Sequence, residues 1–319
     1  MSTSALRNPC MTETGAALLR RMTEHADAPR WTHAAGDRLH PADVAWLDNE
    51  RAELAFGRRA QPLGPPRAAV MTRLAAAIAA SPLLRDKVPE QFDLQAQWDQ
   101  IPTMDRSVLA TQLEWLVPLT APLDEMLLYR TAGTTGHALR VPHHRRSVAA
   151  LLPLIEVALR AWGITLDVRP GEVACALLGA QADTATYATV LAGWGGAGFT
   201  KLNLHPKQWP SPESAARFLA AFNPRLLTGD PITVAELLRQ RPRITPQAML
   251  TTAVAMSDEL RTLHREQLNC PVIDWYSLTE TGPIGFRCPH AGKGEPEAFH
   301  IVAADRHVEL LDSHGVAVP

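Results

Sequence analysis

Between residues 173 and 276, short apolar runs alternate with amphipathic stretches, and this alternation limits the fold more than any other feature of the sequence. Runs over 173–178, 198–204, 226–228 and 272–276 have strand length, whereas 184–192, 212–221 and 232–239 are amphipathic. Parallel strands need long crossover connections, so this order predicts an α/β fold with a mainly parallel sheet and helices on both faces. Helix starts agree with it. Ser211 is followed by Pro212, and Ser257 by Asp258 and Glu259, which places a cap, a first-turn proline and acidic residues where the helix dipole favours them.

Upstream, 16–83 is rich in Ala, Leu and Arg with helical spacing, as in Val70, Leu74, Ile78 and Leu83, broken by a Pro-rich turn over 61–66. Leu109, Leu113 and Leu116 continue a helical pattern after Ile101, Pro102 and Thr103, where Thr103 is placed to begin a helix. A loop over 120–123 precedes a short apolar run, 126–129. Near the end, 307–311 reads as a strand, 312–315 as a turn and 316–319 as the start of a returning strand. A chain ending inside a hairpin leaves an exposed edge, so a continuation past Pro319 is expected. The expected division is a helical region over 1–125, an α/β core over 126–290 and a truncated β subdomain over 291–319.

Composition excludes several classes of function. A 46% hydrophobic and 20% charged chain of 319 residues is ordinary for a globular protein, and no apolar run approaches the roughly 18 residues that would span a bilayer. The formal charge of −2, with Lys and Arg spread along the chain, provides no basic stripe for nucleic acid. Cys10, Cys175, Cys270 and Cys288 lie too far apart for a disulfide framework or a paired metal motif, so reduced thiols are expected. No basic stretch leads into an apolar segment at the start, which makes the cytoplasm the expected compartment. Small molecules are therefore the expected partners, not nucleic acid or membrane, and a homodimer is compatible with the sequence.

Two segments carry chemistry. Thr131, Gly133, Thr134, Thr135 and Gly136 form a hydroxyl- and glycine-rich turn after the 126–129 run. Glycine lets backbone N–H groups approach an anion and threonine adds donors, which is what phosphates need in place of water. No Lys-Ser/Thr pair follows the second glycine, so this is not a Walker loop, and an ordinary polar turn is the competing reading. The second segment runs Tyr276, Ser277, Leu278, Thr279, Glu280, directly after the apolar 272–275 run. It puts a hydroxyl and a carboxylate at a strand's C-terminal end, where open α/β sheets bind ligands. Threonine can bond a phosphate oxygen, and glutamate suits Mg²⁺.

In this order and spacing the two segments resemble the phosphate loop and the Tyr-Gly-x-Thr-Glu motif of the adenylate-forming superfamily. The nearer resemblance is to phenylacetate–CoA ligases, through Ile101, Pro102 and Thr103, the 131–136 loop, the 176–193 region with Tyr187, and 300–319. It covers about residues 98 to 319 and implies the large N-terminal domain of such enzymes. By this resemblance Thr131, Gly133, Thr134, Thr135 and Gly136 hold the ATP phosphates, and Tyr276, with Asp274, Trp275 and Ser277 beside it, takes the adenine. Thr279 binds the α-phosphate, Glu280 carries Mg²⁺, and 252–256, with Ala253, Val254 and Ala255, lines the adenine and acyl pocket. Gln181, Tyr187, Trp194 and Gly195 fall in the implied acyl-pocket region. Ser277 stands where the family has glycine, His137 and Ala138 depart from the residues after the loop, and Thr186 stands where a histidine is common. The family's ribose-binding aspartate and its lid with a catalytic lysine would lie past Pro319, so the chain alone is expected to be incomplete for turnover.

Other residues have plainer readings. Cys288, His290 and His300 match no standard zinc spacing and read as loop residues. His143 and His144 with Arg145 and Arg146 read as a solvated cluster. Trp194 beside Gly195 and Gly196 fits a packed turn as well as a pocket, and Tyr187, in an amphipathic stretch with Val190 and Leu191, fits a core as well as a pocket. The reaction implied by the resemblance is ATP-dependent activation of an aryl or arylacetic acid to acyl-AMP, with Mg²⁺, followed by transfer to CoA. Alternatives are transfer to a carrier protein or an amine, or a nucleotide- or acyl-binding module without catalysis.

Overall fold

The computed structural model describes residues 6–55, 66–131, 139–290, 298–302 and 306–314. They divide into two compact units: one from Met1–Phe56, Ala149–Ser277 and Gly285–His300, the other from Gly57–Val148, Leu278–Ile284 and Ile301–Pro319. These discontinuous units cut across the linear division read from the sequence. Among the described residues up to 125 there are only helices and connections, and no helix is long and apolar enough to cross a membrane.

The strands are β1 (Leu127–Arg130), β2 (Arg140–His143), β3 (Val173–Gly179), β4 (Tyr187–Leu191), β5 (Ala197–Asn203), β6 (Leu226–Gly229), β7 (Ala248–Thr251), β8 (Val272–Leu278), β9 (Gly282–Arg287) and β10 (Phe299–Ile301). β1 and β2 form a separate antiparallel pair, and the eight-stranded sheet runs β10-β9-β8-β7-β6-β3-β5-β4. β5, β3, β6, β7 and β8 are mutually parallel. The fold is α/β with a mainly parallel sheet flanked by helices. Strand order reverses at β3, with β5 on one side and β6 on the other, and such switch points are where open sheets leave a crevice at the strand C-termini.

The sequence dictates one densely covered face. Ala176, Leu178, Ala188, Val190, Leu202, Leu227 and Met249 join Leu18 and Met22 of the Glu13–Thr23 helix, Phe218 and Leu219 of Ser214–Phe222, and Val234 and Leu237 of Pro231–Gln240 in one buried core. Gly198 permits the close approach of Glu13–Thr23, since a Cβ there would meet Leu18 at 2.9 Å and Val173 at 3.1 Å.

Several sequence expectations need correction. The 184–192 stretch is not helical: Tyr187–Leu191 is an edge strand antiparallel to β5, because a short run with tyrosine, threonine and valine satisfies either period and the neighbouring strand decides. The helix expected from Ser211 starts at Ser214 without a side-chain cap. There the Ser214 hydroxyl donates to Asp27 (2.8 Å), and Arg217 bonds the same carboxylate, which lowers its pKa to about 2. Asp105, not Thr103, caps the Arg106–Thr111 helix, and a second short helix, Leu113–Leu116, follows. No strand spans 307–311, where only Leu311 forms a bridge. Of the expected turns and returning strand, 61–65 and 315–319 lie outside the described residues. The Ser257 cap is present, its hydroxyl accepting from the Leu260 N–H at 3.3 Å. Ser257→Ala is expected to cost about 1 kcal/mol in urea unfolding.

Candidate functional site

In the second unit the β1–β2 hairpin pairs Leu127 with His143 through to Arg130 with Arg140. The pairing continues one residue further: the Thr131 N–H donates to the Leu139 carbonyl (3.0 Å), and the Leu139 N–H donates to Thr131 Oγ1 (2.9 Å). Leu139 and Val141 are buried and anchor the returning strand. Thr131 therefore closes the base of the segment 132–138. Gly133, Thr134, Thr135 and Gly136, with His137 and Ala138, lie outside the described residues.

Sequence reasoning placed His143 in a solvated cluster, whereas it is half-buried. Its ring packs edge-on against Tyr129 (centroids 5.2 Å apart, 86°). Burial lowers its pKa, opposed by a hydrogen bond to the Thr279 backbone and by the Glu280 charge. The hairpin thus meets the Thr279–Glu280 turn inside one unit. No local pattern signals this, because His143 and Thr279 are far apart in sequence, and the charged neighbours Arg145 and Arg146 make the cluster look solvated. Arg145 in fact pairs with Glu125.

The turn itself differs from the sequence reading. β8 extends to Leu278, two residues past the 272–276 run, so Ser277 and Leu278 are also strand residues. Thr279, Glu280 and Thr281 form a three-residue link into β9, with Gly282 at φ 72° supplying the left-handed residue that the tight return needs. Thr279 is exposed and Glu280 half-buried. Arg306 donates through Nε to the Thr281 carbonyl at 2.8 Å and braces the turn.

In the first unit, Asp274 is buried at 7% exposure and its carboxylate is fully engaged. Thr251 Oγ1 donates to Oδ1 (2.7 Å), while Arg261 Nη2 and Arg287 Nη1 (3.4 Å) both reach Oδ2. Arg261 also donates through Nε to the Met256 carbonyl (3.3 Å), tying the loop after β7 to β8. Thr252 Oγ1 and Ser277 Oγ lie 3.2 Å apart. Trp275 is half-buried, and Tyr276 is 53% exposed with only an edge contact to Phe299 at 6.4 Å. In the loop, Val254 and Ala255 are exposed and Ala253 holds φ 77°, a value that costs an L-residue energy. Ala253→Gly is expected to stabilise the protein by about 1 kcal/mol in urea unfolding. No change would mean that the loop bears no such strain.

The acyl-pocket expectations fall on β4, β5 and their connections. Tyr187 is half-buried on β4 and stacks on Phe199 (6.0 Å, 26°). The Gln181 backbone carbonyl accepts from Asn203 Nδ2 at 2.8 Å. Trp194 is buried in the β4–β5 turn with its indole N–H donating to Glu156 (2.9 Å), and Gly195 takes φ 63° beside it. Cys288 pairs through its N–H with the Ala298 carbonyl, and His300 lies against Phe286.

Among the described residues no group of three or more His, Cys, Asp or Glu could hold a metal ion. Glu280 therefore belongs to no such group, and Thr279 precedes it in the turn. A carboxylate and a hydroxyl are hard oxygen donors, the type that Mg²⁺ takes, usually one or two carboxylates with phosphates and water completing its shell.

No family model matches the sequence, and no curated protein matches it. Similar solved structures include a 2-hydroxyisobutyryl-CoA ligase in an open conformation with 2-HIB-AMP and CoA, at 13% identity and TM-score 0.48, covering 72% of this chain and 56% of that one. An anthranilate CoA ligase in complex with anthranoyl-AMP matches at 15% identity and TM-score 0.39, covering 100% of this chain and 69% of that one. A nonribosomal peptide synthetase matches at 18% identity and TM-score 0.38, covering 91% of this chain and 34% of that one. The chain spans little more than half the length of the 2-hydroxyisobutyryl-CoA ligase.

Proposed function

We propose that this chain binds ATP and a carboxylic acid and joins them as acyl-AMP, in the manner of a phenylacetate–CoA ligase-like adenylate-forming enzyme, with a thiol such as CoA as the acceptor. One observation carries the reading: His143, on the strand paired with Leu127–Arg130, lies within electrostatic reach of the Thr279 backbone and of Glu280. The base of the Thr/Gly segment and the Thr279–Glu280 end of the second segment thus fall in one compact unit.

The chemistry follows from the residue types. A substrate carboxylate oxygen attacks the α-phosphorus, an O–P bond forms, and the bond to pyrophosphate breaks. Thr279 donates its hydroxyl to an α-phosphate oxygen, and hydrogen-bond donors of this kind offset the charge that builds on the phosphates. Mg²⁺ held by Glu280 and phosphate oxygens would neutralise part of that charge. In the first unit, Tyr276 offers an exposed ring to a planar base. No protein nucleophile is required, so positioning and charge neutralisation supply the rate. A thiolate then attacks the acyl carbonyl and AMP leaves. An aryl or arylacetic acid, a cytoplasmic setting and CoA as acceptor complete the proposal.

The test is ATP–pyrophosphate exchange by the full-length gene product across benzoic, arylacetic and short aliphatic acids. Acid-dependent exchange, strongest with an aryl acid, is expected. ATP binding without exchange for any acid would replace the enzyme with a nucleotide-binding module.

A further inference from the structure

The two faces of the large sheet are not covered alike. On the side opposite the core, Cys175 and Leu226 are buried, but Leu177 of β3, Tyr187 of β4, Phe199 and Lys201 of β5, and Thr228 of β6 are only half-buried. The register places them together: Lys201 stands opposite Tyr187 on one side and Leu177 on the other, and Leu177 stands opposite Thr228. Side chains two apart on a strand share a face, so Phe199 and Lys201 point the same way, and Tyr187 stacks on Phe199. The patch lies toward the C-terminal ends of β3, β5 and β6, at the reversal of strand order, where open α/β sheets bind ligands.

Lys201 is the anomaly in this patch. Its ammonium has no hydrogen-bond or ion-pair partner among the described residues, and burial alone pushes its pKa below the ordinary lysine value. A half-buried cation with no counter-ion is a standing cost, which a bound anion would remove. The stacked Tyr187–Phe199 pair beside it offers a flat apolar wall of the kind that takes a planar ring.

We propose that Lys201, Tyr187 and Phe199 form a subsite for an aromatic acid that carries a second anionic group: the ring lies on the Tyr187–Phe199 pair and the second carboxylate pairs with Lys201. This rests on the reading of the chain as one that binds a carboxylic acid, and it names the substrate class as aryl dicarboxylates.

The probes are benzene-1,4-dicarboxylate and benzoate, titrated by calorimetry into the wild-type chain, Lys201→Met and Lys201→Arg. The dicarboxylate is expected to bind roughly tenfold or more tightly than benzoate, with that preference lost in Lys201→Met and kept in Lys201→Arg. Equal binding of the two acids by the wild-type chain, or a preference that survives Lys201→Met, overturns the subsite. Lys201→Met exchanges a costly charge for an apolar chain and is expected to fold. If it does not, the wild-type comparison of the two acids decides. ATP titrated into the same samples separates the two claims. Intact ATP binding without acid preference refutes the subsite alone. Acid preference without ATP binding refutes adenylation and leaves the subsite standing.

Discussion

Asp274→Ala is expected to lower the unfolding free energy by about 3–5 kcal/mol, because it leaves two guanidinium groups facing each other without their shared carboxylate. Asp274 is 7% exposed, Arg261 and Arg287 both reach Oδ2, and Thr251 fills Oδ1. The loss spreads, since Arg261 also holds the Met256 carbonyl and with it the loop over 252–256. Urea unfolding should show a lower midpoint, and Asp274→Asn, which keeps the shape and one acceptor, should lose less. A change in Asp274→Ala below about 1 kcal/mol would mean that the network is solvated and carries little energy.

Glu280→Gln is expected to leave the fold intact and to abolish the gain in ATP affinity that Mg²⁺ provides, with a loss of roughly tenfold or more in the presence of the metal. The residue is half-buried in a turn, so its amide is accommodated without a packing change. Glutamine keeps the length but contributes a neutral oxygen, a weaker ligand for a hard divalent cation. Thr279→Ala, in contrast, should weaken ATP binding equally with and without Mg²⁺, because the role proposed for its hydroxyl is a direct bond to phosphate. Identical responses in the two variants would remove the separate roles given to the two side chains.

The parallel part of the sheet was legible in the sequence where a strand was long and apolar, as at 173–178, 198–204 and 272–276. β7 escaped notice: Ala248–Thr251 is four residues long and fully buried, too short to show any period. β4 was misread because aromatic and β-branched residues at an edge take their state from the strand beside them. Ser257 gave a true helix start, whereas Ser211 was a false one, since Asp27 draws the Ser214 hydroxyl and sets the turn from far away in sequence. The candidate site divides in the same way. Thr279 and Glu280 are visible as a motif because they are adjacent. His143 and Lys201 depend on strand pairing and register, which a linear reading does not supply.

The central claim is that this chain carries a Mg²⁺-dependent nucleotide site at the Thr279–Glu280 turn. Titration of ATP into the chain by calorimetry, with and without Mg²⁺ and in competition with AMP, tests it most directly. The account predicts saturable one-site binding that tightens with Mg²⁺, is displaced by AMP and loses its metal dependence in Glu280→Gln. ATP binding that is absent, or that is indifferent to both Mg²⁺ and Glu280, would contradict it.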